Sequence, residues 1–173
     1  MILDRLRADI PGGSVSALHA SESYLWQCRF RSHHIWLQQP QTFMNLSGCA
    51  VAKWARKHEI APEHILLVYD DLDLPLGRLR FRRKGGTAGH RGVESVIAEL
   101  GSSNFLRLRI GIGNTTNETI DHVLAAFSEE EAPLVDSVLD HSVAAIRLLL
   151  SRGLQESMTH YNGITISEPA EDH

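Results

Sequence analysis

Cysteine is scarce in this chain. Cys28 and Cys49 are its only two, without CxxC spacing, so the sequence holds neither a disulfide framework nor a zinc pattern. A reducing, cytoplasmic setting is the expectation. No apolar run approaches the length of a membrane span. The opening MILDRLRADI is interrupted by Asp4, Arg5, Arg7 and Asp9, which excludes a signal peptide there. An excess of positive charge is also missing: the formal net charge is -4, so the chain as a whole is not a basic nucleic-acid binder. There is no GxSxG elbow for a serine hydrolase. No Gly-Lys-Ser/Thr follows the glycine-rich stretch, which excludes a Walker loop. No internal repeat or low-complexity linker divides the chain, so one domain is expected.

What is present concentrates between Ile65 and Arg91. The apolar run Ile65–Val68 reads as a buried strand of a covered sheet. It ends in Asp70, Asp71 and Asp73, and ligands of open α/β sheets sit outside the carboxyl ends of strands. Arg78-Leu79-Arg80-Phe81-Arg82 alternates strictly, which puts three arginines on one strand face. Gly85, Gly86, Gly89 and Gly92 then surround His90 and Arg91, just before a helical pattern. Arg78, Arg80, Arg82, Arg83, Lys84 and Arg91 form a local run of cations with no acid among them. Local clustering sets the field a ligand meets. Chemistry on a polyanion is the first implication.

The rest of the chain supplies a scaffold. Ile2, Leu3, Leu6 and Ile10 have helical spacing, stopped by Pro11-Gly12-Gly13. Tyr24–Arg31 and His34–Gln38 alternate as two strands of a hairpin, with Ser32-His33 between them. Gln41–Gly48 is a loop leading into a helix whose inner stripe is Val51, Trp54 and Ala55. Val93, Val96, Ile97 and Leu100 give a short helix ending at Gly101. Phe105–Gly113 is a strand, and its glycines at 111 and 113 admit a close neighbour. Ile120–Phe127 is a short helix or an extended connector. Ser128 and Glu131 form a capping box for a long amphipathic helix ending at Gly153. A last helical turn covers Met158–Asn162, and the acidic tail is expected to be disordered. Alternating strands and helices imply an α/β fold with a mixed sheet.

Several residues carry more than one reading. Asp70, Asp71 and Asp73 suit Mg²⁺, or Asp70 alone orients a catalytic imidazole, or the three form a solvated turn. The backbone N–H groups of the glycine loop can hold an anion at the helix start, or the loop simply turns. His90 is a general base, its pKa lowered by nearby cations, or it bonds the loop backbone. Asn45 is an ordinary helix cap, or its amide contacts a carbonyl and a water. His33 and His34 point to opposite faces of a strand. Cys28 and Cys49 read as core thiols.

The motifs QTFMNLSG, VYDDLDLPLGRLRFRRKGGTAGHRG, FLRLRIGIGN, HVLAAFS and HYNG occur in an order and spacing that resemble bacterial-type peptidyl-tRNA hydrolase. The resemblance implies a three-layer αβα domain with a mixed, mostly parallel sheet over residues 1–163, followed by a tail at 164–173. It implies cleavage of the ester between a peptide and the tRNA 3′ ribose by a histidine base, with no metal and no cofactor. It makes Asp70 the carboxylate that supports the histidine, Asn45 the positioner of water and peptide, and Phe43 a lining of the same pocket. It puts His90 and Arg91 against the tRNA end, with Arg78, Arg80, Arg82, Arg83 and Lys84 as further phosphate contacts. The implied partner is peptidyl-tRNA, with no membrane and no obligate protein partner, and the expected state is a cytoplasmic monomer.

Two departures shape the expectations. Where the family carries asparagine this chain has Arg91, which adds a phosphate-pairing charge and removes an amide. The family also opens with a strand, a GLGNPG-like turn and the histidine-bearing segment, ahead of the helix that MILDRL resembles. Those parts are not among these residues, so a missing first central strand and weak or absent hydrolysis by the 173-residue polypeptide are expected. The competing readings are an RNA-binding relative without hydrolysis and, further off, a Mg²⁺-dependent phosphoesterase built on Asp70–Asp73.

Overall fold

The computed structural model describes residues 1–10, 16–20, 22–113, 127–128 and 130–167. The connector expected over Ile120–Phe127 lies outside them but for Phe127, as does the tail from 168 on. The chain clusters into two compact units, one from Leu3–Leu66 and Arg83–Leu106, the other from Leu67–Arg82 and Arg107–His173.

In the first unit, α1 (Ile2–Asp9) covers the expected helix and buries Leu6. Strands β1 (Ser16–Ala20), β2 (Ser23–Phe30) and β3 (His33–Pro40) form an antiparallel sheet in that order. The hairpin turns at Arg31-Ser32, one residue earlier than the sequence suggests, because Phe30 pairs with His33. Arg31 takes a left-handed φ of 54° there. β1 was not foreseen.

A 3-10 turn at Met44–Leu46 leads into α2 (Ser47–Lys57). Its buried stripe includes Val51, Trp54 and Ala55, while Lys53, Arg56 and Lys57 are exposed, as the spacing requires. α3 (Arg91–Leu100) buries Val93 and Val96 and stops at Gly101, whose φ of 65° few other residues tolerate. α2 and α3 cross closely at Gly48, which donates its N–H to Ser95 Oγ at 2.9 Å. A Cβ at Gly48 would lie 2.1 Å from the Ser95 carbonyl oxygen. Helix propensity alone favours alanine over glycine by about 1 kcal/mol. Overpacking against backbone costs more, so Gly48→Ala is expected to destabilise by about 2 kcal/mol net. Chemical denaturation measures this, and a stabilised variant would contradict the packing described.

In the second unit, β4 (Leu66–Asp71), β5 (Leu79–Arg82) and β6 (Leu106–Gly111) form a sheet of order β4-β6-β5. β5 and β6 are antiparallel. β4 and β6 run parallel: Leu106 N–H donates to Ile65 O and Ile112 N–H to Asp71 O, so both indices rise together. The sheet is therefore mixed. The Ile65–Val68 run is not deeply buried as expected. Side chains from Leu66 to Asp70 are half-buried, and only Asp71 is fully covered. β4 stands at one end of the order, so among the described residues a strand flanks it on one side only.

The loop after β4 lies against the end of β6. A Cβ at Gly111 would sit 2.0 Å from Pro75 O, and Gly113 N–H donates to Leu74 O at 2.9 Å. Close backbone approach is thus the use of these glycines. α4 (Ala132–Arg152) and α5 (Leu154–Tyr161) complete the unit, with Phe81 and Tyr161 in edge contact. The reciprocal bonds of the expected capping box form, Glu131 N–H donating to Ser128 Oγ and Ser128 N–H to Glu131 Oε2, but Ser128 is not the helix cap: α4 starts at Ala132, with Glu131 at its N-cap position. The Asn162 amide completes the β5 backbone, accepting from Phe81 N–H at 2.7 Å and donating to Phe81 O at 3.2 Å.

Candidate RNA-end site

Within the first unit the Met44–Leu46 turn packs on the start of α3. Gly92 is buried, and a Cβ there would meet Met44 Sδ at 2.6 Å and His90 Cε1 at 3.0 Å. Only a residue without a side chain lets these two groups close on the helix start. Phe43, Asn45, His90 and Arg91 are thereby brought to one small region. Phe43 is 82% exposed, and Met44 and Leu46 are also exposed. A phenyl ring left so open is not serving the core; an apolar surface of this kind is suited to a ligand. Asn45 is exposed inside the 3-10 turn. It is not the N-cap of α2, a position held by Leu46 without a side-chain bond.

His90 is the N-cap of α3. Its Nδ1 accepts from Gly92 N–H at 3.1 Å and Val93 N–H at 3.3 Å. This decides between two open readings in favour of the one in which the ring bonds the loop backbone. Nδ1 must be bare to accept, so the proton of a neutral ring sits on Nε2, and Nδ1 is engaged by the backbone rather than available as a general base. The two N–H groups are also engaged by the ring, so the helix start does not hold them free for an anion. The approach to His90 is a tight turn: His90 N–H donates to Thr87 O at 2.9 Å, with φ of 48° at Ala88 and 75° at Gly89. Two successive positive φ angles define a type I′ turn. Arg91 is exposed in the first turn of α3, and Arg83 and Lys84 are exposed ahead of the glycines.

Within the second unit the cations share a sheet face. Arg80 pairs opposite Arg109, and Arg82 opposite Arg107. Like charges placed directly across a ladder repel. The Arg80 guanidinium is accordingly pushed to a lower pKa, first by Arg82, then by desolvation, Arg109 and Arg78. Arg78 precedes β5 and is tied down, donating to Thr165 Oγ1 at 2.8 Å and Asn162 O at 3.4 Å. Arg80 and Arg82 remain on the strand itself, half-buried.

Asp71 is the carboxylate that bonds Arg109. Asp71 is 6% exposed, accepts from Arg109 Nε, and accepts from Asp73 N–H at 2.9 Å. That hydrogen bond holds Arg109 more firmly protonated. Neighbouring strand residues face opposite ways, so Asp70 lies on the other face from the arginines. Asp71 shares its strand parity with Tyr69, and it is Asp71 whose carboxylate bonds Arg109. A metal cluster at Asp70–Asp73 finds no support: Asp71 is committed to Arg109, and no group of three or more ligating side chains occurs among the described residues.

The cysteines divide. Cys28 is buried as expected, and burial pushes its thiol up. Cys49 is exposed rather than in the core. It donates to Glu99 at 3.4 Å, and that contact raises its pKa, so it is not an activated thiolate.

An α/β chain with a cationic sheet face, and an amide and an open aromatic ring beside a capped helix start, has the makeup of a protein for a polyanionic substrate. A family model described as peptidyl-tRNA hydrolase matches residues 1–169. The peptidyl-tRNA hydrolase of Pseudothermotoga lettingae is 45% identical over 148 residues, covering 82% of this chain and 79% of that protein. That of Symbiobacterium thermophilum is 51% identical over 128 residues, covering 73% and 68%. The crystal structure of peptidyl-tRNA hydrolase from Acinetobacter baumannii superposes with a TM-score of 0.85 at 28% identity, covering 95% of this chain and 84% of that one. The chain belongs to the peptidyl-tRNA hydrolase family. No described helix is long and apolar enough to cross a membrane.

Proposed function

We propose that the Phe43–Leu46 turn and the start of α3 together receive the 3′ end of peptidyl-tRNA. Asn45 holds the peptide carbonyl and the attacking water, and Phe43 covers them. His90 donates through Nε2–H, and Arg91 pairs a phosphate. Asp70, at the end of β4, would support the family's histidine base, which is not among these residues, so hydrolysis by the 173-residue polypeptide is expected to be weak or absent. The water oxygen bonds the ester carbonyl carbon, the ester C–O bond to the ribose breaks, and the ribose oxygen leaves with a proton. An activated ester needs little more than a base, an oriented water and donors for the oxyanion. Arg80, Arg82, Arg83 and Lys84 supply further phosphate contacts, and the protein works as a cytoplasmic monomer.

The observation that supports this reading is the seating of Met44 against Gly92, where the turn that carries Asn45 meets the helix start that carries His90 and Arg91. Arg91 adds weight. A cation at a helix N-terminus opposes the helix dipole at a cost of about 0.3–1 kcal/mol, so Arg91 serves something other than stability.

Equilibrium binding of N-acylaminoacyl-tRNA and of deacylated tRNA separates the roles. Asn45→Ala is expected to lose about tenfold in preference for the acylated form, since one hydrogen bond to the peptide ester is worth about 1.4 kcal/mol. Arg91→Ala is expected to weaken both ligands equally. An Asn45→Ala chain that still discriminates would remove Asn45 from the site.

A further inference from the structure

We infer a second RNA-contact surface in the first unit, a cation-ringed tryptophan platform at Trp36. Between Glu22 and Glu59 the sequence contains no carboxylate side chain, although the whole chain has net charge -4. The same span carries Arg29, Arg31, Lys53, Arg56 and Lys57, with His33, His34 and His58. It folds into the β2–β3 hairpin and α2.

The fold gathers part of this charge around one ring. In the hairpin, Trp36 pairs with Gln27 and His34 with Arg29, so Arg29, His34 and Trp36 share a sheet face. α2 covers the same face further along, where Gln38 donates to Ala50 O at 3.0 Å. Trp36 meets Trp54 edge-on with ring centroids 5.1 Å apart, and His58 at 5.0 Å. Lys57 Nζ lies 5.2 Å from the Trp54 ring. The Trp54 indole N–H and His58 Nε2 are buried without a hydrogen-bond partner, so ring contacts hold the stack. Trp36 and His58 are half-buried, while Arg29, His34 and Lys57 are exposed around them. Arg56 bridges to Glu99, and Glu59 lines a cavity with those two in which neither Trp36 nor His58 takes part.

Cations beside a half-open indole match RNA, whose phosphates pair with the cations and whose unstacked bases lie on aromatic rings. An acidic peptide would use the charge but not the ring. The surface is distinct from the Asn45–Arg91 region and does not depend on that reading.

The probe is a short unstructured RNA oligonucleotide, followed by tryptophan fluorescence and by affinity across salt concentration. Trp26 and Trp54 are buried, so quenching on RNA addition reports Trp36. Trp36→Phe is expected to abolish the quench while melting like the parent chain. Arg29→Gln with Lys57→Gln is expected to cost about tenfold in affinity and to flatten the salt slope by about 1.4, the single-strand value for two contacts. The quench should persist in an Asn45→Ala, Arg91→Ala chain; its loss there would assign the signal to the other region and overturn the inference. So would a quench retained in Trp36→Phe, affinity unchanged in the double glutamine variant, or quenching by anionic lipid vesicles but not by RNA.

Discussion

Asp71→Ala is expected to destabilise the protein by about 3 kcal/mol, the scale for removing one partner of a buried ion pair. The carboxylate is almost fully covered and answers Arg109, which lies opposite Arg80 in the ladder. Without it, Arg109 keeps its charge among Arg78, Arg80 and Arg82, and the Asp73 N–H loses its acceptor. Asp71→Asn separates the two losses. It keeps the oxygen for Asp73 N–H and gives up only the charge, so its cost should be smaller. Chemical denaturation of both variants checks the order. Equal costs would show that the ion pair alone carries the effect, and an Asp71→Asn variant as stable as the parent would show that the turn does.

Neutralising Arg80 and Arg82 together is expected to move function and stability in opposite directions. If both side chains meet phosphates, tRNA affinity falls about 30-fold, or roughly 1 kcal/mol per contact, and the log–log salt slope on duplex-like RNA flattens by about 1.8. Stability should rise slightly, because Arg82 and Arg109 repel Arg80 in the folded chain. Tight binding with an unchanged salt slope would show that the face does not meet tRNA. Glutamine suits the test because it keeps length and polarity while losing the charge.

Much of the scaffold could be read directly. Leu79 and Phe81 alternate with Arg80 and Arg82, and the structure buries the first pair. Gly101 marks a helix end that exists, while the Ser128–Glu131 bonds form one turn ahead of the helix they were expected to cap, because α4 starts at Ala132. β1 escaped notice because Ser16–Ala20 has Leu18 as its only large apolar residue, and the strand is defined by its pairing with β2. Burial of β4 was overestimated because an apolar run does not reveal how many strands flank it.

The site was legible by residue type and less so by role. Asn45, His90 and Arg91 come from separate motifs, and nothing in their spacing announces that Met44 rests on Gly92. His90 as a cap was one of two open readings, and the Nδ1 contacts decide it. Asp71 was overshadowed by Asp70 because both end the same strand. Only the fold shows that Asp71 bonds Arg109.

In the proposed function the Asn45 turn and the Arg91 helix start act as one receiving surface. A double-mutant cycle on peptidyl-tRNA affinity tests it most directly, using Asn45→Ala, Arg91→Ala and the pair. Residues sharing one ligand end are expected to couple by at least about 0.5 kcal/mol. Strict additivity, or no loss in either single variant, would contradict the account.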